Sequence, residues 1–328
     1  MGKEVEQQKV KPERLPPLEL RPMRDLDLEK VSGGPEHLSA ASGIVRRGVF
    51  AYVIGDDLLD LGIFDLSGAG PGRLRQVLAG ARPADEDEAH RDKPDLEALT
   101  ALPPFGNSSY GALLGLGSGS KENRGRGFVW PFEADGSLVG EPREVDFAPL
   151  YAMLREELGD INIEGASVFD DRLWLFHRGN KGDAPNTVVE LALAPLFESL
   201  GGDLVVDAEE LLEIRAYDLG ELGGTPLCFS DASPLFDRLV VFTASAEVDS
   251  EGSDDGAVRG SVVGTIDSDG VVHRLREIDR RWKVEGVHAQ VDTVVIDFVF
   301  VCDQDDAAIP SPLLTATMPI EPGFESPV

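Results

Sequence analysis

Five segments of this chain repeat one pattern, and that repetition limits the folds open to it. Each opens with an acidic or hydroxyl residue and small residues, runs through a short strand, turns, enters an apolar strand and ends in a polar loop. The segments are 41-ASGIVRRGVFAYVIGDD-57, 96-LEALTALPPFGNSSYGALLGLGSGS-120, 161-INIEGASVFDDRLWLFHRGN-180, 229-FSDASPLFDRLVVFTASAE-247 and 284-VEGVHAQVDTVVIDFVFVCDQDD-306. Aligning FDDRLWLF with FDRLVVF sets Ser230 opposite Glu164, and stepping back from Tyr52, the counterpart of Trp174, sets Ser42 at the same place. The equivalent positions are then Ser42, Glu97, Glu164, Ser230 and Glu285, separated by 55, 67, 66 and 55 residues.

The copies continue into third and fourth strands: 59–66 and 73–79 in the first, 187–193 and 212–219 in the third, 260–267 and 271–278 in the fourth. The fifth copy supplies a third strand at 312–318, and residues 17–23 are free to supply its fourth. Four-stranded units at this period predict an all-β protein, a five-bladed β-propeller closed by strands from both ends of the chain. Six blades, or two stacked β domains, are the alternatives. The propeller is expected to fill residues 14–320 as one domain, with a flexible N-terminal tail at 1–13 and a C-terminal tail at 321–328. Helix is expected only in insertions at 147–158 and 208–213. The 36 Gly and 22 Pro suit such a turn-rich fold.

Composition excludes some functions. Acidic residues number 60 against 30 basic, a formal charge of -30 that repels nucleic acid and anionic membranes. No apolar run approaches the roughly 20 residues that span a bilayer, and MGKEVEQQKVKPERLPP lacks an apolar signal core. A soluble, cytoplasmic protein is the expectation. Cys228 and Cys302 lie 74 residues apart on apolar strands and read as buried free thiols, and no Cys/His cluster suggests zinc.

In a propeller the first strand of each blade lines the central channel, so the five equivalent residues face one another at one mouth. Three converging carboxylates there repel, and a cation relieves them. Carboxylate, hydroxyl and carbonyl oxygens suit Ca²⁺, so Ser42, Glu97, Glu164, Ser230 and Glu285 are the candidate metal ligands. The second strands end at the same mouth. Their loops bring Lys121, Arg124 and Arg126 on one blade and His177, Arg178 and Lys181 on its neighbour. Asp56, Asp57, Asp303, Asp305 and Asp306 lie on the facing blades. A cation flanked by such groups suits phosphate chemistry. Lys121, Arg124, His177 and Arg178 would bind a phosphorylated small molecule, and Asp56 or Asp303 would orient water. The rival expectation is a non-catalytic binding propeller in which calcium only locks the ring. His288, three residues after Glu285, could also reach the mouth.

The blade count and the Ser/Glu ring resemble the calcium-dependent apyrases, five-bladed propellers that hydrolyse nucleoside di- and triphosphates around a central calcium. Their Asp-Asp-Arg-Thr-Gly step is matched by Asp56 and Asp57 in 52-YVIGDDLLDL-61, without the following Arg, Thr and Gly. The recurring Glu-Gly and Glu-Ala steps resemble esterase-like phytase and SdiA-regulated propellers. The chain as a whole is most similar to an uncharacterised bacterial propeller family, through 94-PDLEAL-99, GSGS and 174-WLFHRGN-180. The resemblance implies the fold and suggests a metal-dependent phosphohydrolase.

Overall fold

The inner strands carry near-continuous apolar runs that are buried at successive positions, so each sheet buries both faces between neighbours. The computed structural model realises this five times. It describes residues 7–10, 15–80, 93–179, 185–236, 239–247, 258–292, 295–304 and 306–320. Lys181, Asp305 and the expected tail at 321–328 lie outside the described residues. Blade one consists of Ala41–Arg47, Phe50–Gly55, Asp60–Asp65 and Arg73–Gln76. Blade two consists of Leu96–Leu102, Ala112–Gly117, Arg126–Pro131 and Arg143–Asp146. Blade three is built from Ile163–Phe169, Arg172–His177, Asn186–Ala192 and Leu211–Asp218. Blade four is Cys228–Phe236, Leu239–Glu247, Val258–Asp267 and Val272–Glu277. Blade five is Val284–Asp292, Val295–Cys302, Pro312–Pro319 and, from the other end of the chain, Arg21–Asp25. The five first strands touch one another in a closed ring around the axis. The protein is a five-bladed β-propeller.

The closing strand starts four residues later than the sequence suggests. Leu18 is held on blade four instead, where its N–H donates to the Glu277 carbonyl at 2.7 Å. Arg21 then pairs with Thr315 and Asp25 with Pro312. Upstream, part of the expected tail at 1–13 is instead a strand: Gln7–Lys9 lies parallel to Ala216–Asp218 and adds a fifth strand to blade three. Downstream, Leu28 bridges to Gly72 of blade one.

Helix Ala148–Leu158 forms where it is expected. The segment at 208–213 is instead one 3₁₀ turn, Ala208–Glu210. The Asp207 side chain accepts from the Glu209 N–H, the Glu210 carboxylate accepts from the Asp207 N–H, and Leu211 then extends to pair with Leu191. A second helix, Leu193–Gly201, was not expected. It buries Leu193, Leu196 and Leu200 at helical spacing in the core between blades two and three.

Aromatic residues fill the gap between blades three and four. Phe229 meets Phe176 and Phe242 edge-to-face at 5.1 and 5.2 Å. Trp174 and Trp130 are buried blade core, as their apolar strands imply. Cys228 and Cys302 are buried free thiols.

Near the axis the inner strands approach so closely that side chains no longer fit. A Cβ on Gly165 would stand 2.8 Å from the backbone of Asp231 and Ala232. One on Gly286 would stand 3.0 Å from the Ser42 carbonyl oxygen. Gly165→Ala is therefore expected to lower stability by about 1–3 kcal/mol through overpacking against backbone. Equilibrium urea unfolding checks this, with Gly201→Ala, which meets nothing within 4 Å, as the control.

Candidate functional site

The five equivalent residues share a backbone feature that the sequence does not announce. In each first strand the ladder to the second strand skips a residue near the strand's start, and blade four skips a second one at Leu235. Leu96 pairs with Gly117 and Ala98 with Leu116, which leaves Glu97 unpaired between them. The skipped residues in the other blades are Ser42, Glu164, Ser230 and Glu285. A bulge re-aims the extra residue's side chain, and here it does so at one height in all five blades. The second strands end in register. The residues after the partners Gly55, Gly117, His177 and Cys302 are Asp56, Ser118, Arg178 and Asp303, and Ser245 holds the matching place in blade four.

A cavity of about 90 Å³ lies at the channel mouth. Ser42, Glu97, Glu164 and Glu285 line it, together with Asp56, Asp303, Arg124 and Arg178. Ser230 does not. Its Oγ donates to Thr243 Oγ1 at 3.0 Å, within blade four. Lys121 is exposed, and Arg126 turns outward to Glu144 at 2.8 Å. His177 is buried behind the wall, where Nδ1 accepts the Asn162 N–H at 2.9 Å. His288 lies farther along the channel and does not line the mouth. Sequence reasoning missed Lys93, Asp95, Asn162, Lys283, Ser120 and Glu247, all of which line the cavity. Asp95, Asn162 and Lys283 each stand two residues before a glutamate of the ring, and that recurrence in three blades was the available signal.

Seven carboxylates and four cations line this space, so the acids are in formal excess by three. The cations are paired. Lys93 Nζ lies 2.5 Å from Asp56 Oδ2 and 3.0 Å from Asp95 Oδ1. Arg124 Nη1 lies 2.9 Å from Asp95 Oδ2. Arg178 reaches Glu247 at 2.5 Å and Glu164 at 3.6 Å. Lys283 reaches Asp303 at 3.0 Å and Glu285 at 3.6 Å. Glu97 has no hydrogen bond or ion pair among the described residues, yet one of its oxygens lies within 4.8 Å of oxygens of Asp56 and Asp95. Asp95 adopts a φ of 57°, a left-handed conformation uncommon outside glycine, and its carboxylate also accepts from Ser118 and Ser120.

Burial governs the protonation of these acids. It raises Glu97 well above the usual glutamate range, and the Glu164 charge adds to it. Burial likewise raises Glu285, with Lys283 opposing, and Asp56, with Lys93 opposing. Glu164 is raised to about 7 by burial, against Arg178 and with Glu247. In Asp95 burial also pushes upward, but Lys93 and Arg124 outweigh it and the carboxyl is held low. His177 is lowered to about 4 by burial and is neutral at physiological pH.

The chain belongs to a family of unknown function, DUF6929, whose model matches residues 37–318. No curated protein matches its sequence. Among solved structures it is similar to the catalytic domain of the Coprinopsis cinerea GH62 α-L-arabinofuranosidase. That match has a TM-score of 0.50 and 12% identity, and covers 92% of this chain and 97% of that one. The Podospora anserina α-L-arabinofuranosidase PaAbf62A gives 0.48 and 12%, over 96% and 97% of the two chains. The Myxococcus xanthus glutaminyl cyclase gives 0.47 and 12%, over 93% and 100%. At such identities the likeness is one of fold. No helix among the described residues is long and apolar enough to cross a membrane.

A pH dependence follows from Glu164. Folded, it keeps its proton up to about pH 7, whereas its ordinary value is 4.5. Its contribution to stability is complete below the unfolded value and is lost as pH rises through the folded one. In chelator, stability is expected to fall between pH of about 5 and 8, by on the order of 3 kcal/mol from this group. Glu164→Gln should remove this share of the fall and leave that of the other raised acids, as urea unfolding across that range would show.

Proposed function

We propose that this protein is a calcium-binding propeller whose ion is held at the channel mouth. One observation carries the reading: Glu97, a carboxylate without a hydrogen bond or ion pair among the described residues, opens onto the cavity beside Asp56 and Asp95, with one oxygen of each within 4.8 Å of the others. The donor set fits a hard cation. Carboxylate oxygens dominate it, Ser42 adds a hydroxyl, and no His or Cys lines the space, which disfavours zinc and copper. Asp56, Asp95 and Glu97 would hold the ion, with Glu164 and Glu285 offering further oxygens across the mouth. Bound there, it would offset the excess negative charge and lock blades one and two together.

A second reading extends the first to hydrolysis of a phosphorylated small molecule. Arg124 favours it, because its buried Nε and Nη2 have no hydrogen-bond partner. The apyrase-like Asp56–Asp57 step points the same way. Calcium would supply charge stabilisation for phosphoryl oxygens. Arg124 and Arg178 would bind them, and Asp56 or Asp303 would orient water. The binding reading takes precedence, because every cation at the mouth is already paired with a carboxylate.

Thermal unfolding separates these readings. Calcium at about one hundred times its Kd is expected to raise Tm by about 5 °C over chelator-treated protein. Glu97→Gln should abolish that rise. A melting point that neither calcium nor chelator moves would end the metal reading. Phosphate release from a panel of nucleotides and phytate, lost in Glu164→Gln, would establish the hydrolase; its absence, with the thermal shift intact, leaves the binding propeller.

A further inference from the structure

We infer that Lys93 is a tethered counter-cation, seated in the divalent-ion position at the mouth, and that it makes the site selective for divalent over monovalent cations. The inference rests on the calcium reading above and concerns what the ion must displace.

The geometry sets up a competition. Lys93 Nζ touches Asp56 Oδ2 at 2.5 Å and Asp95 Oδ1 at 3.0 Å. The same two residues, with Glu97, make the cluster whose oxygens lie within 4.8 Å of one another. A calcium ion bonded to oxygen at about 2.3–2.6 Å would sit in the middle of such a group. An ammonium already in contact with two of the three carboxylates leaves no place for it. The position therefore binds a cation within this chain, and a free ion enters only when Lys93 leaves.

Lys93 is suited to leaving. It is the most exposed of the four cations, with 15% of its side chain accessible, against 3% for Arg124, 5% for Arg178 and 10% for Lys283. Arg124 is also fixed to Ser120 as well as Asp95. A lysine is a point charge on a flexible four-carbon stem, whereas a guanidinium is a rigid fork. Lys93 can swing out and carry its charge into water.

Exchange then discriminates by charge. Replacing a tethered single charge with a free one leaves the cluster as it was, while the incoming ion loses hydration and translational freedom. Replacing it with a divalent ion adds a unit of charge facing three carboxylates. Sodium and potassium gain nothing, and calcium does. Selectivity here comes from the competitor built into the site as well as from the ligands.

Calorimetric titration of the full chain with calcium, in choline chloride and in sodium chloride at equal ionic strength, tests this. Wild type should bind with the same Kd in both salts. Lys93→Met should bind about tenfold tighter in choline chloride and lose much of that gain in sodium chloride. Lys93→Arg should stay insensitive to sodium. Lys283→Met removes equal charge from the same cavity and should shift the Kd less, without sodium sensitivity. Lys93→Gln stands in if the Met variant does not fold by circular dichroism. A Lys93 variant that binds no tighter than wild type, or a Lys283 variant that behaves identically, overturns the inference and leaves the calcium site standing. No calcium heat in wild type or in either neutral variant overturns both.

Discussion

One extra residue in each innermost strand is the constraint on which this molecule turns. A strand in unbroken register would point Glu97 or Glu164 along the blade face, into the apolar gap between sheets. The bulge instead leaves these residues unpaired and turns them toward the mouth. Its neighbours follow from it. Gly165 and Gly286 come next in the chain where the strands now meet backbone to backbone. Side chains bridge adjacent blades where ladders cannot: Asp231 Oδ2 accepts from the Val287 N–H at 2.7 Å, Ser233 Oγ from the Ala289 N–H at 3.0 Å, and Ser42 Oγ donates to the Leu96 carbonyl at 2.9 Å. The mouth is also laced by main chain. Asp95 donates to the Asp56 carbonyl, Ser118 to that of Asp95 and Ile163 to that of Ser118, which carries the link from blade one to blade three.

Such a ring concentrates acids in a poorly solvated place. Two devices hold it together. Four side-chain cations are interleaved with seven carboxylates, and the acids least well paired keep their protons to higher pH. Asp95 is the centre of the first device. Lysine, arginine and two serine hydroxyls converge on it, and its carboxyl is held below its ordinary range. The φ of 57° that brings it there is a conformation aspartate tolerates better than most residues.

The strands, their order around the axis and the five ring positions were legible in the sequence because repetition multiplies a weak signal. The closing strand was legible only approximately, since Pro16 and Pro17 precede a residue, Leu18, whose partner lies on blade four. What escaped was the detail that depends on the third dimension. Asp95 and Lys283 share a place two residues before a ring glutamate, but that recurrence does not tell that these side chains and that of Lys93 line the mouth while Lys121 is exposed. The basic loop residues were read as a phosphate cradle, whereas Arg124 and Arg178 are paired with acids from other parts of the mouth. Ser230 matches Ser42 in sequence and differs in outcome, because Thr243 on the neighbouring strand offers its hydroxyl a nearer partner. The Leu193–Gly201 helix was missed because its apolar spacing continues directly from a strand.

The pairing of Arg21–Asp25 with the strand at Pro312–Pro319 joins groups 294 residues apart in the chain. Bringing together the ends of a flexible segment of that length costs about 5 kcal/mol in chain entropy before any contact compensates. That cost shrinks only after the intervening blades have folded and brought the two strands close. Ring closure therefore belongs to the end of folding, as a consequence of polymer statistics. Until Pro312–Pro319 is in place, Arg21–Asp25 has no edge of blade five to join.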